Sequence, residues 1–266
     1  MPCRRIKFPT FVCSMGKAIT AIGAGLIILA AIAAMRSYGQ EEKTSGEKAR
    51  VHLQKPAGTG LRNYYVTGID LSHYNSVSSW ESISADPNGV SFVYLKASEG
   101  ATMQDETFSS RLTEAHKAGL KVGAYHYLTT ASGIRDQFLN FHSAVCADSI
   151  DLVPVLDIER QSKGYPKTDE EYIAMIRDWI QLCRQYYGCR PMLYCNVENY
   201  RRYIEGNFDE CLFWCGDING YKPRVDSTDW YMWQHTIKHC DGVAHDIDFN
   251  IIQHGRSLEE IGIRKQ

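Results

Sequence analysis

Little in this 266-residue chain suits a nucleic-acid or metal partner. Basic and acidic residues nearly cancel, with 29 Lys and Arg against 31 Asp and Glu and a net charge of -2. No Lys/Arg stripe interleaved with aromatics is available to a phosphate backbone, so no nucleic-acid partner is expected. None of the nine cysteines forms a C-x-x-C pair and no H-E-x-x-H occurs. A zinc site is therefore not expected, and no metal or other cofactor is inferred. No segment repeats at a fixed period. What the chain does hold in quantity is aromatic: sixteen Tyr and five Trp. Such polar-tipped rings line carbohydrate sites and also fill ordinary cores.

One uncharged apolar run has membrane length, Ala18–Met35. As a helix it spans ~27 Å. Arg4, Arg5, Lys7 and Lys17 precede it, which keeps that side cytoplasmic and sends the rest of the chain outward. Residues 1–39 are read as a cytoplasmic tail and signal-anchor helix. A secreted product cleaved after Ala31-Ile32-Ala33-Ala34 is the alternative. Residues 40–62 are polar and read as a linker, and residues 63–266 as the folded domain. Seven cysteines follow the anchor, so at least one is unpaired within a single chain. Cys195 with Cys215, or Cys183 with Cys189, is geometrically possible. Cys211 and Cys215 lie ~13 Å apart along a strand, too far to bridge.

From Val66 onward, strand-like and helix-like segments alternate. Strands are predicted over 66–71, 91–97, 121–128, 152–159, 191–196, 211–216, 230–236 and 245–250. Helices are predicted over 106–118, 134–146 and 169–187, the last capped by Thr168 and stopped by Gly188. This alternation favours an α/β fold with a parallel sheet, and so many units suggest an irregular, TIM-like (β/α) barrel with few helices after the late strands. Catalytic groups of such barrels gather at the C-terminal strand ends. Polar residues recur there: Asp70, Lys96, Glu99, His126, Asp157, Glu159, Trp233 with Gln234, and Asp248.

Asp157 and Glu159 close the apolar run Leu152-Val153-Pro154-Val155-Leu156-Asp157-Ile158-Glu159. Strand side chains alternate, so both acids face one side, with backbones ~6.5–7 Å apart. Paired carboxyls at a strand end are costly unless used. Glycoside hydrolysis uses such a pair. Two acids in a solvated loop is the plainer reading of D-x-E alone.

Five blocks resemble the family 25 glycoside hydrolases, the Chalaropsis-type lysozymes. They are Gly68-Ile69-Asp70-Leu71-Ser72, Phe92-Val93-Tyr94-Leu95-Lys96-Ala97-Ser98-Glu99-Gly100, Ala118-Gly119-Leu120 with Gly123-Ala124-Tyr125-His126-Tyr127, Asp157-Ile158-Glu159, and Trp233-Gln234 with Asp248-Phe249-Asn250. Their order and spacing cover the whole predicted domain. His235-Thr236 and Ile247 depart from the family's usual Tyr-Ser and Val. The resemblance implies hydrolysis of the β-1,4 bond between N-acetylmuramic acid and N-acetylglucosamine in peptidoglycan. Glu159 is then the general acid, its proton affinity raised by an anionic Asp157. Asp157 is expected to orient the substrate's own 2-acetamido group as the nucleophile.

Asp70 and Asp248 would orient substrate and support its positive charge. Tyr125, Tyr194, Trp233, Lys96 and Gln234 are candidate substrate contacts, with Lys96 paired to an acid at the mouth. Trp214 reads as core and His126 as a hydrogen-bonded structural histidine. A chitinase-like hydrolase is the competing enzyme reading, although its longer D-x-D-x-E motif meets Val155 here. An inactive, anchored glycan-binding protein is the non-enzymatic alternative, disfavoured by the intact acids.

Overall fold

Along eight strands, most residues facing the helices are apolar, while those facing the opposite way mix aliphatic, aromatic and polar side chains with glycine. That division lets one sheet roll up until its edges meet. The computed structural model describes residues 66–159, 168–218, 221, 223–226 and 230–263. The Ala18–Met35 run and the 40–62 linker lie outside the described residues. Among the described residues no helix is long and apolar enough to cross a membrane.

The strands are β1 (Thr67–Leu71), β2 (Val90–Glu99), β3 (Met103–Gln104), β4 (Lys121–Tyr127), β5 (Val155–Asp157), β6 (Met192–Asn196), β7 (Leu212–Gly216), β8 (Met232–Lys238) and β9 (Ile247–Ile252). Their order is β1-β9-β8-β7-β6-β5-β4-β2, and β2 pairs back onto β1, closing an eight-stranded barrel. Neighbours from β1 through β2, β4, β5, β6, β7 to β8 are parallel. The last strand departs from the expected parallel pattern: β9 is antiparallel to both β8 and β1. Antiparallel neighbours need only a short connection, and residues 239–246 supply it without a crossover helix. β3 is a short hairpin arm on β2, reached through Gly100 at φ 53°.

The α-helices longer than one turn among the described residues are α1 (Trp80–Ser84), α2 (Phe108–Lys117), α3 (Ile134–Ala144) and α4 (Asp169–Tyr187). The α4 helix starts in a capping box: Glu171 N–H donates to Thr168 Oγ1, and Thr168 N–H donates to Glu171 Oε2. It ends at Gly188, in the left-handed region at φ 68°. One apolar layer lies between the sheet and these helices, including Ile69, Val93, Leu95, Ile158, Phe138 and Trp179. A second fills the barrel, with Phe92, Tyr94, Val155, Met192, Trp214 and Met232. Gly68 and Gly123 make room for its large rings. A Cβ on Gly123 would stand 2.1 Å from the Tyr94 ring, and one on Gly68 2.3 Å from Phe92.

The fourth predicted strand is shorter than expected. Pro154 has no N–H to donate, and the segment before it pairs elsewhere. Val153 N–H donates to Ile261, and Leu152 bridges to Gly262.

Candidate active site

The mouth of the barrel is built by side chains that face inward at the upper strand ends. Asp70 follows Gly68 on the inner face of β1. Lys96 ends the inner series Phe92, Tyr94 on β2, because a bulge between Lys96 and Ser98 breaks the alternation. Tyr125 comes from β4, Asp157 from β5, Tyr194 from β6 and Gln234 from β8. β9 runs the opposite way, so Asp248 enters the mouth from near the start of its strand.

Asp157 is the last residue of β5 and is buried. The extended backbone continues past it. Ile158 N–H donates to the Tyr194 carbonyl at 2.8 Å, and the Ile158 side chain packs outward. Glu159 therefore faces the same side as Asp157, as alternation requires. It is exposed to solvent at the mouth. Asn199, after β6, clamps this turn by donating from Nδ2 to the carbonyls of Ile158 and Glu159.

A hydrogen-bond chain holds Asp70. Asn250 Nδ2 donates to Asp70 Oδ2 at 2.8 Å, and Gln234 Nε2 donates to the same oxygen at 3.2 Å. Behind these amides, Trp214 Nε1 donates to Asn250 Oδ1 and Tyr194 Oη donates to Gln234 Oε1, each at 2.9 Å. Gly216 keeps Tyr194 free to reach, since a Cβ there would lie 2.7 Å from its hydroxyl. Lys96 is buried and pairs with Glu99 at 2.7 Å, with its ammonium 5.1 Å from the Tyr127 ring centre.

All four mouth acids are held above the usual carboxylate range. Burial raises Asp70 to about 6, opposed by the Asn250 and Gln234 donors. Burial, then the Asp70 and Glu159 charges, raise Asp248 to about 8. Asp157 is pushed up by burial and by Glu159, with Lys96 opposing. Glu159 is exposed as a residue, yet its carboxyl is crowded by the atoms around the mouth; that desolvation and the Asp70 charge raise it, while Lys96 and a Tyr194 hydrogen bond oppose. Two amide donors favour the anion on Asp70, whereas burial and the Glu159 charge favour the protonated form of Asp157. Asp157 Oδ1 is buried and has no hydrogen-bond partner among the described residues. A buried acceptor left open in this way is uncommon and suits a ligand donor.

Of the expected site residues, Asp70, Lys96, Tyr125, Asp157, Glu159, Tyr194, Gln234 and Asp248 converge on this mouth. Trp233 does not. It lies in the outer layer, with Nε1 donating to the Asp217 carbonyl at 2.8 Å. Its parity is opposite to that of Gln234, so one of the W-Q pair faces in and the other out. Trp214 is inside the barrel but fully packed beneath the site. His126 also lies outside the barrel, stacked on Trp179 with centroids 4.7 Å apart. Its Nδ1 lies 2.8 Å from Ser98 Oγ and its Nε2 3.2 Å from Gln137 Oε1, and burial lowers it to about 3, so it is neutral. Cys183, Cys189, Cys195, Cys211, Cys215 and Cys240 form no disulfide among the described residues, although Cys195 and Cys215 are register partners on β6 and β7.

Sequence reasoning did not single out Asn250 or Asn199 as site residues. Asn250 carried a signal: it stands two residues after Asp248, the spacing that joins Asp157 to Glu159 on one face.

A sequence profile described as glycosyl hydrolases family 25 matches residues 69–242. Lysozyme M1 of Streptomyces globisporus is 29% identical over 199 residues, covering 70% of this chain and 67% of that protein. The bacterial lysozyme from Streptomyces coelicolor superposes with a TM-score of 0.66 at 28% identity, over 74% of this chain and 94% of its own. A family 25 glycosyl hydrolase from Bacillus anthracis gives a TM-score of 0.65 at 25% identity, over 82% and 97%.

Proposed function

The chain belongs to the glycosyl hydrolases of family 25 as a lysozyme-type glycosidase of peptidoglycan, and we propose that it cleaves the β-1,4 bond between N-acetylmuramic acid and N-acetylglucosamine with Glu159 as general acid. The observation that carries this reading is the pairing of a solvent-facing Glu159 with a buried Asp157 whose Oδ1 lacks a partner among the described residues.

Asp157 and Glu159 titrate together, so one proton serves both. An acetamido N–H donated to Asp157 Oδ1 favours the carboxylate there. The shared proton then rests on Glu159, at the open side, where a leaving oxygen can take it. The acetamido carbonyl oxygen attacks the anomeric carbon as the glycosidic C–O bond breaks. The bond's electron pair goes to the leaving oxygen, which accepts the Glu159 proton. The cyclic cation that forms is balanced by the Asp157 carboxylate. Water then opens it, returning a proton to Glu159 and retaining the configuration. Asp70, held as an anion by Asn250 and Gln234, supports the positive charge across the mouth, with Asp248 beside it. Tyr125 is suited to hold the same acetamido group. Lys96 limits the charge of the acid cluster.

Substrate assistance requires the N-acetyl group. De-N-acetylated peptidoglycan should bind yet resist cleavage, and the first product released from acetylated wall should keep its anomeric configuration by NMR. Rapid hydrolysis of the de-N-acetylated substrate, or an inverted product, would leave direct attack by a carboxylate or water as the mechanism.

We further propose export, with the apolar Ala18–Met35 run retained as an anchor and the domain on the outer side of the membrane. The basic residues before the run support that orientation. N-terminal sequencing of the membrane fraction checks it; a soluble chain beginning after Ala34 would mean secretion.

A further inference from the structure

The loop after β1 carries a side chain that the reaction above does not use. Tyr74 is 56% exposed and lies four residues after Asp70. An exposed ring is ordinary by itself, but the foundation beneath this one is not. The Tyr74 ring leans on the His73 imidazole, with centroids 4.0 Å apart. Asp105 Oδ2 holds His73 twice, accepting its backbone N–H at 2.8 Å and lying 2.9 Å from its Nδ1. Asp105 is buried, and its other oxygen accepts from the Thr107 N–H and hydroxyl. Burial would raise the Asp105 carboxyl, but the hydrogen bonds from Thr107 and His73 outweigh it and hold the group low. The buried Arg111 guanidinium donates to the carbonyls of Ser72 and Asn75, the two ends of the loop. Asn75 Oδ1 accepts the Ser72 N–H at 2.9 Å, closing the turn.

Burying a carboxylate and a guanidinium is costly. Here both act on a four-residue loop whose main outward feature is one aromatic ring. The loop also adjoins the cleft, because it follows directly on β1, whose C-terminal end carries Asp70 and its Asn250 and Gln234 donors. A ring fixed in this way loses little entropy when a ligand packs on it.

We propose that Tyr74 is a preorganised sugar platform at the rim of the cleft, stacking on the apolar face of an N-acetylated pyranose next to the sugar being cleaved. The inference rests on the peptidoglycan reading. A pyranose presents C–H groups on one face and hydroxyls at its edge, which match an aromatic face with a polar tip.

The test compares wild type, Tyr74→Ala and Tyr74→Trp on purified peptidoglycan. Tyr74→Ala should raise KM roughly three- to tenfold, with the loss in KM rather than kcat, and Tyr74→Trp should restore it. In the Glu159→Gln background, Tyr74→Ala should weaken sedimentation with wall fragments by a similar factor. A folded Tyr74→Ala protein with unchanged KM and wall affinity overturns the platform alone. Absence of lysis by the wild type overturns the peptidoglycan reading, and the platform's ligand with it.

Discussion

Glu159 and Asp157 differ in what surrounds them more than in what they are. Asp157 ends a strand and is sealed under the mouth, whereas Glu159 stands two residues further on, open to solvent. Proton delivery to a leaving group needs the open position. Glu159→Gln keeps the shape but lacks the acidic proton, so wall lysis should fall by ~10²–10⁴ while the far-UV spectrum and Tm stay near wild type. Turbidity clearance at the wild-type rate by the folded variant would remove Glu159 from the role. Single residues also show how parity decides function. Gln234 faces the cleft and bonds to Asp70, while adjacent Trp233 packs in the outer layer. His126 sits late in its strand, as an active-site residue would, yet it faces α4 and is held neutral between Ser98 and Gln137.

Elements with complete local signals appear where the sequence places them. The α4 helix begins and ends at the predicted residues, because a capping box and a left-handed glycine specify both boundaries within a few residues. α2 is shorter at both ends than the apolar period suggests, and α3 starts as predicted at Ile134 but stops two residues early. β3 and α1 were not anticipated. Two paired residues and a helix of little more than one turn hold too few side chains to show a period. β5 shrank because Pro154 interrupts its ladder and residues 152–153 find partners in the C-terminal segment. The bulge in β2 has the largest functional effect of these irregularities. It leaves Lys96 in the mouth and turns Ser98 out to His126.

The whole molecule gathers four carboxyls at one end of a closed barrel, and that has a thermodynamic consequence. Asp70 at about 6 and Asp248 at about 8 lie above their ordinary values. A carboxyl with a raised folded pKa holds its proton more tightly in the folded protein than in the unfolded chain. The resulting stability is complete below pH about 4 and is lost as pH rises through the folded values. His126 and His235, whose pKa values burial lowers, add stability as pH rises to about 6.5. Tm should therefore fall between about pH 7 and pH 8, where only the raised carboxyls titrate, and Asp248→Asn should flatten the fall. Differential scanning calorimetry across that range decides it, and a Tm that climbs towards pH 8 would contradict the raised values. The sequence alone determined the strand and helix series, the caps of α4, and the common face of Asp157 and Glu159, because period, cap and alternation are local properties of consecutive residues. Only the tertiary structure decided that β9 runs antiparallel, that Asn250 and Gln234 hold Asp70, and that burial raises all four mouth acids. Those outcomes depend on desolvation and on charges brought from strands far apart in the chain, whose distances no local pattern encodes.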